Sequence, residues 1–324
     1  MPQPNVAESS VRGPLQKVSL AYRNKNYIGD RVFPIINGVD AKSKITKYLK
    51  GAWFRDEAGI RGPGSRAMRG GYPIDFVNIT PVEYAFAKEV TDEDRRDAKS
   101  AFAPPLKPDE DALEFCADRI DLKKERRVAA IVTGSTWSTT NEDCEGKWAP
   151  GADNTFISDV EGAIAYIRAQ AGIRPNVMMM SANVLPKIKQ ESSVLDRIKY
   201  TERGIVTAAL IAAMFELDEV LIGDAIYSSA KETKAGTDFT SVNIWEKNAS
   251  KGSAFVFYRP PSIGLKVPTA GLQARMNYDE GSARRVTTWR ENAEHQDVYE
   301  VAETTDIVQT CSDLGYLLYD CILT

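Results

Sequence analysis

The chain has 324 residues, with 41 Lys plus Arg against 45 Asp plus Glu, a formal net charge of −4 and 43% hydrophobic residues. That balance excludes a globally basic nucleic-acid binder, which needs a large positive excess, and a disordered acidic chain, which lacks this much apolar content. The length suggests roughly two domains at about 100 to 200 residues each, with a core large enough to do without staples.

Residues 1–50 show no sustained helical period; short apolar pieces (Val18 and Leu20, Tyr27 and Ile28, Val32 and Phe33, Ile35 and Ile36) alternate with Gly, Pro, Asn and Lys. This predicts an extended arm, which at about 3.3 Å per residue could reach about 165 Å and lie across a neighbouring molecule. Its first residues are expected to be dispensable. Residues 51–80 predict a long β-hairpin projecting from the body: Trp53, Phe54 and Arg55 lead into a Gly/Pro/Arg tip, Gly59 to Gly71, and a strand-like run follows from Tyr72 to Ile79. Tyr48, Trp53 and Phe54 could stack on nucleotides, but fit better as anchors of the hairpin base.

Residues 81–90 alternate with period two, as a half-buried strand does. The clearest helix follows. Pro108 lies near its first turn, Asp109, Glu110 and Asp111 complement the N-terminal dipole, Arg126 and Arg127 fall towards its end, and Gly134 can stop it. Leu113, Cys116, Ile120, Val128 and Ile131 form one apolar stripe over about 25 residues, long for a globular helix. Residues 151–254 alternate helix and strand: a helix from Asn154 to Gln170, a buried strand from Asn176 to Met180, a helix starting at Val184, an Ala-rich helix from Ile205 to Phe215 and a strand from Glu219 to Ile222. This predicts an α/β unit inserted into a larger α+β body. From Ala254 the chain is strand-rich again: 254–258, 272–278, 284–289, 297–301, 304–309 and 316–322.

Divided by segment, the charge is uneven. Residues 1–71 carry 13 basic and 5 acidic side chains, net +8, and residues 72–324 carry 28 and 40, net −12. A basic reaching part on an acidic body suits association between copies, since each extension can settle on the opposite charge of another molecule.

No motif for catalysis stands out. There is no P-loop, no GxGxxG after a strand, no GxSxG and no HExxH. The single histidine, His295, lies in a polar run and reads as a solvated loop residue, which removes the usual general base and metal ligand. Cys116, Cys144, Cys311 and Cys321 form no CxxC and read as reduced thiols. Met178 to Met180 reads as core rather than a soft-metal site, and the acidic pairs (Glu142 and Asp143, Asp218 and Glu219, Asp279 and Glu280) as solvated. The N-terminus lacks an apolar signal region and no run spans a bilayer, so a cytoplasmic protein without a membrane partner is expected.

The stretch from Tyr22 to Pro34 (YRNKNYIGDRVFP), then Lys47–Tyr48, the Arg/Gly/Pro hairpin and the ending Ser312 to Ile322 (SDLGYLLYDCI) resemble tailed-bacteriophage major capsid proteins. The resemblance covers the whole chain and lies in the order of parts rather than in catalytic motifs. It implies a capsid-type α+β fold: N-arm at 1–50, extended loop at 51–80, first part of the peripheral domain with the spine helix at 81–150, axial domain at 151–254 and peripheral return strands at 255–324. It also implies a function: a non-enzymatic coat protein that self-assembles into hexamers and pentamers, forming an icosahedral shell around packaged double-stranded DNA. Subunit contacts would fall, by position, on Tyr27, Phe33, Tyr48, Arg55, Arg61, Arg66 and Arg69. No catalytic residue, cofactor or metal is implied. The partners implied are other copies, a separate scaffolding protein (or upstream processing, since no scaffold-like segment precedes the arm), a portal, a possible decoration protein and non-specifically bound DNA. The expected place is the virion capsid, assembled through a procapsid in the host bacterial cytoplasm. Alternatives are an encapsulin-like bacterial compartment shell enclosing cargo enzymes, a cytosolic α/β enzyme with an appended hairpin, and a minor tail or decoration protein.

Overall fold

The computed structural model describes residues 23–99, 107–134, 137, 139–151, 153–198, 206–231, 238–278 and 283–322. The first 22 residues of the expected arm lie outside them. Two five-stranded sheets and one long helix organise the rest.

The first sheet is built around β13 (Gln296–Gln309), one continuous 14-residue strand where the sequence suggested two. On one side β13 pairs along its length with β4 (Val82–Thr91). On the other it pairs first with β12 (Arg285–Glu291) and then with β11 (Gly271–Arg275), while β1 (Ile35–Asn37) runs parallel to β11. Alternation in β4 turns Tyr84, Phe86 and Val90 to one face and Glu83, Ala85, Ala87 and Glu89 to the other. The long helix lies on the first of these faces; we label it α4 (Pro108–Val132), after α1 (Gly29–Val32), α2 (Lys50–Trp53) and α3 (Asp92–Ala98). Tyr84 joins Cys116, Ile120 and Val301 in a small core, Phe86 meets Phe115 edge-on at 5.8 Å, and the Arg127 guanidinium sits 4.0 Å over the Tyr84 ring while donating to the Thr305 hydroxyl at 2.7 Å. The expected stripe shifts by a residue in places: Ala112, Lys124, Glu125 and Val132 are buried, whereas Leu113 and Ile131 are only half-buried. Gly134 follows the helix without left-handed backbone, and a Cβ there would lie 2.4 Å from the Ala130 carbonyl oxygen.

The second sheet has the order β5-β14-β10-β6-β7, from β5 (Asn141–Asp143), β6 (Val177–Ser181), β7 (Glu219–Gly223), β10 (Ser253–Phe257) and β14 (Gly315–Tyr319). β6 and β10 are buried at every position, as apolar strands covered on both faces must be. Helices α5 (Phe156–Ala171), α6 (Val184–Ile188), α7 (Ser192–Ile198) and α8 (Ala208–Met214) accompany it. Trp137, Trp148 and Trp245 are fully buried, and each indole N–H finds an acceptor, on the Ile131 carbonyl, Asp159 and Glu125 respectively. This sheet corrects two sequence boundaries. A division at residue 254 cuts through β10, and the C-terminal strand β14 pairs with β10 and β5, so it completes the α/β unit instead of returning to the first sheet. The cause is long-range pairing between segments about 60 to 180 residues apart, which local pattern cannot reveal.

Two small ladders complete the fold. β2 (Ser43–Tyr48) pairs antiparallel with β3 (Ile74–Ile79), and β8 (Ile226–Ser228) with β9 (Ser241–Asn243). The projecting hairpin thus starts eight residues earlier than the sequence suggested, because its first strand is the end of the expected arm.

Candidate subunit-interface surface

The β2–β3 hairpin has two unlike faces. Ile45, Val77 and Ile79 share one side of the ladder, and Ile45 and Ile79 pack on Leu272, Ala274 and Val308 of the body. Tyr48 and Ile74, directly opposite each other, and Phe76 opposite Thr46 share the other side, which faces solvent. Between the strands the chain runs through α2 and then as an extended loop from Phe54 to Pro73. Tyr48, Trp53 and Tyr72 form a ring trio with centroids 5.7 to 5.8 Å apart, and the Lys266 ammonium lies 5.6 Å from Tyr48 and 5.4 Å from Trp53. Trp53 is 52% exposed, Tyr72 55% and Phe76 55%. A two-stranded sheet is marginal by itself, and contiguous apolar side chains left in water usually mark a contact surface.

The base is fixed to the body. The Lys50 ammonium pairs with Asp313 at 2.6 Å and donates to Gln170 at 3.1 Å, and the Phe54 ring lies where a Cβ on Gly172 would be 3.3 Å away. Trp53 and Phe54 therefore do sit at the hairpin base, yet both remain exposed. Arg55, Arg61, Arg66 and Arg69 are all exposed on the loop. Among the described residues Arg55 pairs with Glu57 at 3.5 Å, Arg61 donates to the Ser65 carbonyl at 2.7 Å, and Arg66 and Arg69 have no ion pair.

Two residues expected at the interface have little or partial exposure. Phe33 is fully buried, set so closely on β11 that a Cβ on Gly271 would lie 2.5 Å from its ring. It is a core residue and offers no surface to a neighbour, because the chain folds its own β11 under it. Tyr27 is half-buried against the main core, and burial raises its phenol above the ordinary range.

The described arm residues are likewise tied to their own chain. Arg31 pairs with Glu219, which Arg259 also holds at 2.9 Å; these cations keep the Glu219 carboxyl below its usual range although burial opposes them. Arg23 pairs with Glu114, and Asp30 pairs with Lys124. The positive charge counted over residues 1–71 is therefore spent partly within the molecule, and the hairpin loop retains the part facing solvent.

Sequence reasoning missed Tyr72, Ile74 and Phe76 as surface residues, although their period of two in the stretch YPIDF is visible once the inner face is assigned. It also missed Glu125, which accepts from the backbone N–H of Ile28 at 2.9 Å and of Gly29 at 2.7 Å, and from Trp245 at 2.8 Å. Nothing local distinguishes that glutamate from its neighbours.

Elsewhere, a cleft of about 340 Å³ is lined by Glu161, Arg168, Arg174 and Glu216 with Met214 and Phe215; Arg174 is paired with Glu216. His295 is exposed at φ 51° in the turn before β13, and its carbonyl accepts from the Asp92 N–H at 3.0 Å. Among the described residues no cluster of three or more His, Cys, Asp or Glu could hold a metal, and no helix is long and apolar enough to cross a membrane.

No family model matches the chain. It is 27% identical over 237 residues, 71% of its length and 73% of the other's, to the major capsid protein of Burkholderia phage BcepMu. Among solved structures it superposes on a phage-related protein from Bordetella bronchiseptica RB50 with a TM-score of 0.68 and 21% identity, covering 94% and 95% of the two chains. It also superposes on the capsid of cyanophage P-SCSP1u with a TM-score of 0.60 and 10% identity, covering 93% and 90%. At these identities the superpositions establish the fold.

Proposed function

We infer that this chain, a capsid shell-forming protein with the fold of phage capsids, serves as the major capsid protein of a phage head. Its copies associate as hexamers and pentamers, and these tile a closed shell around packaged DNA. The observation that carries this reading is the projecting hairpin: β2, β3 and the loop between them hold large apolar side chains and Arg61, Arg66 and Arg69 away from their own body, where only another molecule can cover them. The similarity to a phage capsid protein supports another copy as that molecule.

A shell needs many modest contacts repeated by symmetry. Each hairpin laid on a neighbour adds buried apolar area, and repetition around closed rings makes the lattice cooperative. The loop arginines contribute steering and register more than affinity, because exposed pairs are worth about 0 to 1 kcal/mol each. The role is structural, and we assign no catalytic step to the chain. A separate scaffolding protein, a portal and a decoration protein are the further partners this reading supplies, with assembly in the host cytoplasm.

Replacing Arg61, Arg66 and Arg69 together by Glu should leave the circular-dichroism spectrum unchanged, since these side chains touch nothing in the core, and should abolish particles. Normal shells of that variant under the electron microscope would exclude the loop from the contact.

A further inference from the structure

Two of the four cysteines meet at the edge of the second sheet. The edge strand β5 runs parallel to β14 for three residues, the last being Asp143 beside Tyr319. The turn that follows stays on the end of β14. The N–H groups of Cys144, Gly146 and Trp148 donate to the carbonyls of Tyr319, Asp320 and Cys321 at 2.9, 2.7 and 2.9 Å. Asp320 has left-handed backbone at φ 52°, and its carboxylate is held by Asn248 at 2.7 Å and Lys251 at 2.9 Å. This interrupts the alternation of the strand just before Cys321. Both cysteines are buried, and their thiols hydrogen-bond each other. Neighbouring extended segments run about 4.8 Å apart, inside the about 4.4 to 6.8 Å between Cα atoms that a disulfide spans. The other two cysteines lie elsewhere: Cys116 in the small core between α4 and β13, and Cys311 beside Ala270.

We propose that Cys144 and Cys321 are a modification site, forming an intrachain disulfide when the protein meets a low-molecular-weight disulfide in an oxidising medium. One cysteine, as its thiolate, attacks a sulfur of the small disulfide and expels a small thiolate; the other then attacks the mixed disulfide and expels the second. The Cys144–Cys321 S–S bond forms, the small S–S bond breaks and takes two electrons, and the two protein thiol protons end on the two small thiols released. A cytosolic thiol pool keeps such a pair reduced. The neighbouring thiol and burial raise Cys144 above its ordinary range, so exchange is slow and waits for the three-residue β5 ladder to open at the sheet edge. The bond closes a long loop across the α/β unit, which strongly restricts the unfolded chain. Its use rests on the shell reading: a head assembled with reduced thiols gains a staple after release from the host. The bond itself does not depend on that reading.

The test incubates the full chain in native buffer with oxidised glutathione, alkylates the remaining thiols in urea and maps the peptides by mass spectrometry. A peptide pair joining Cys144 to Cys321, lighter by two hydrogens than its parts and separated by dithiothreitol, is expected. The oxidised protein should melt about 5 to 10 °C above the reduced one, and dithiothreitol should abolish the difference. Cys116→Ala should keep this shift and Cys321→Ala should lose it; should Cys321→Ala fail to fold, the wild-type map decides. Cys144 and Cys321 both alkylated after prolonged oxidation, or each carrying glutathione without a link, would overturn the site while leaving the shell reading intact. A chain that links these cysteines yet forms neither particles nor capsomers would support the site and overturn the shell reading, together with the use drawn from it.

Discussion

Glu125 is a buried carboxylate served by three N–H donors and by no ion pair among the described residues, and it joins the arm, the long helix and the loop carrying Trp245. The short helix α1 has no side-chain cap of its own, so Glu125 satisfies its first N–H groups from across the core. Burial is the dominant influence on this carboxyl and raises its pKa above the ordinary 4.5 despite the three donors. A raised carboxyl binds its proton more tightly in the folded state. Its burial cost is therefore relieved as pH falls through the raised value and is felt in full above it. Glu125→Gln has no such titration, so the melting temperature of the wild type relative to Glu125→Gln should rise on going from pH 7 towards 4.5; a difference independent of pH would contradict this. The arm's attachment is thus set by one side chain whose sequence neighbours include solvent-facing charges.

Among the elements, three strand glycines share one device. Gly223, Gly271 and Gly315 each lie where a Cβ would be 2.5 Å from an aromatic ring, belonging to Trp245, Phe33 and Phe255 respectively. Absence of a side chain lets each ring approach the strand closely, and for Phe33 and Trp245 this holds a segment outside the sheet against it. Gly271→Ala should push Phe33 outward and cost about 1 to 3 kcal/mol by overpacking. Gly51→Ala, on α2 with nothing within 4 Å of the added carbon, should be neutral or stabilising by up to about 1 kcal/mol. Urea denaturation of the two variants checks the contrast. Equal effects would mean that helix and strand propensity, not ring packing, governs these positions.

At the scale of the whole molecule, the body and the projection follow different rules. The body fully buries Trp137, Trp148 and Trp245, whereas the loop from Phe54 to Pro73 has every residue exposed. Arg55, Arg61, Arg66 and Arg69 make that loop a trypsin target in the free chain. Assembly should protect it, so limited trypsin digestion of unassembled protein should cut between residues 55 and 70 while assembled particles resist at the same enzyme ratio. Equal cutting in both states would show that the loop stays uncovered in the shell.

Amphipathic period and helix-end chemistry determined the parts whose causes are local: the helix Pro108–Val132, the strand Val82–Thr91, the alternation of helix and strand in the middle of the chain and the exposed Arg/Gly/Pro loop. The order of those parts supported the resemblance to phage capsid proteins. Tertiary structure alone decided which strands meet. It put β14 into the α/β sheet, fused two expected strands into β13, buried Phe33 under its own chain and left Tyr72 and Phe76 outside. The reason is physical. A strand's apolar face is visible in its alternation, but whether that face is covered, and by which chain, depends on partners far away in sequence or in another molecule.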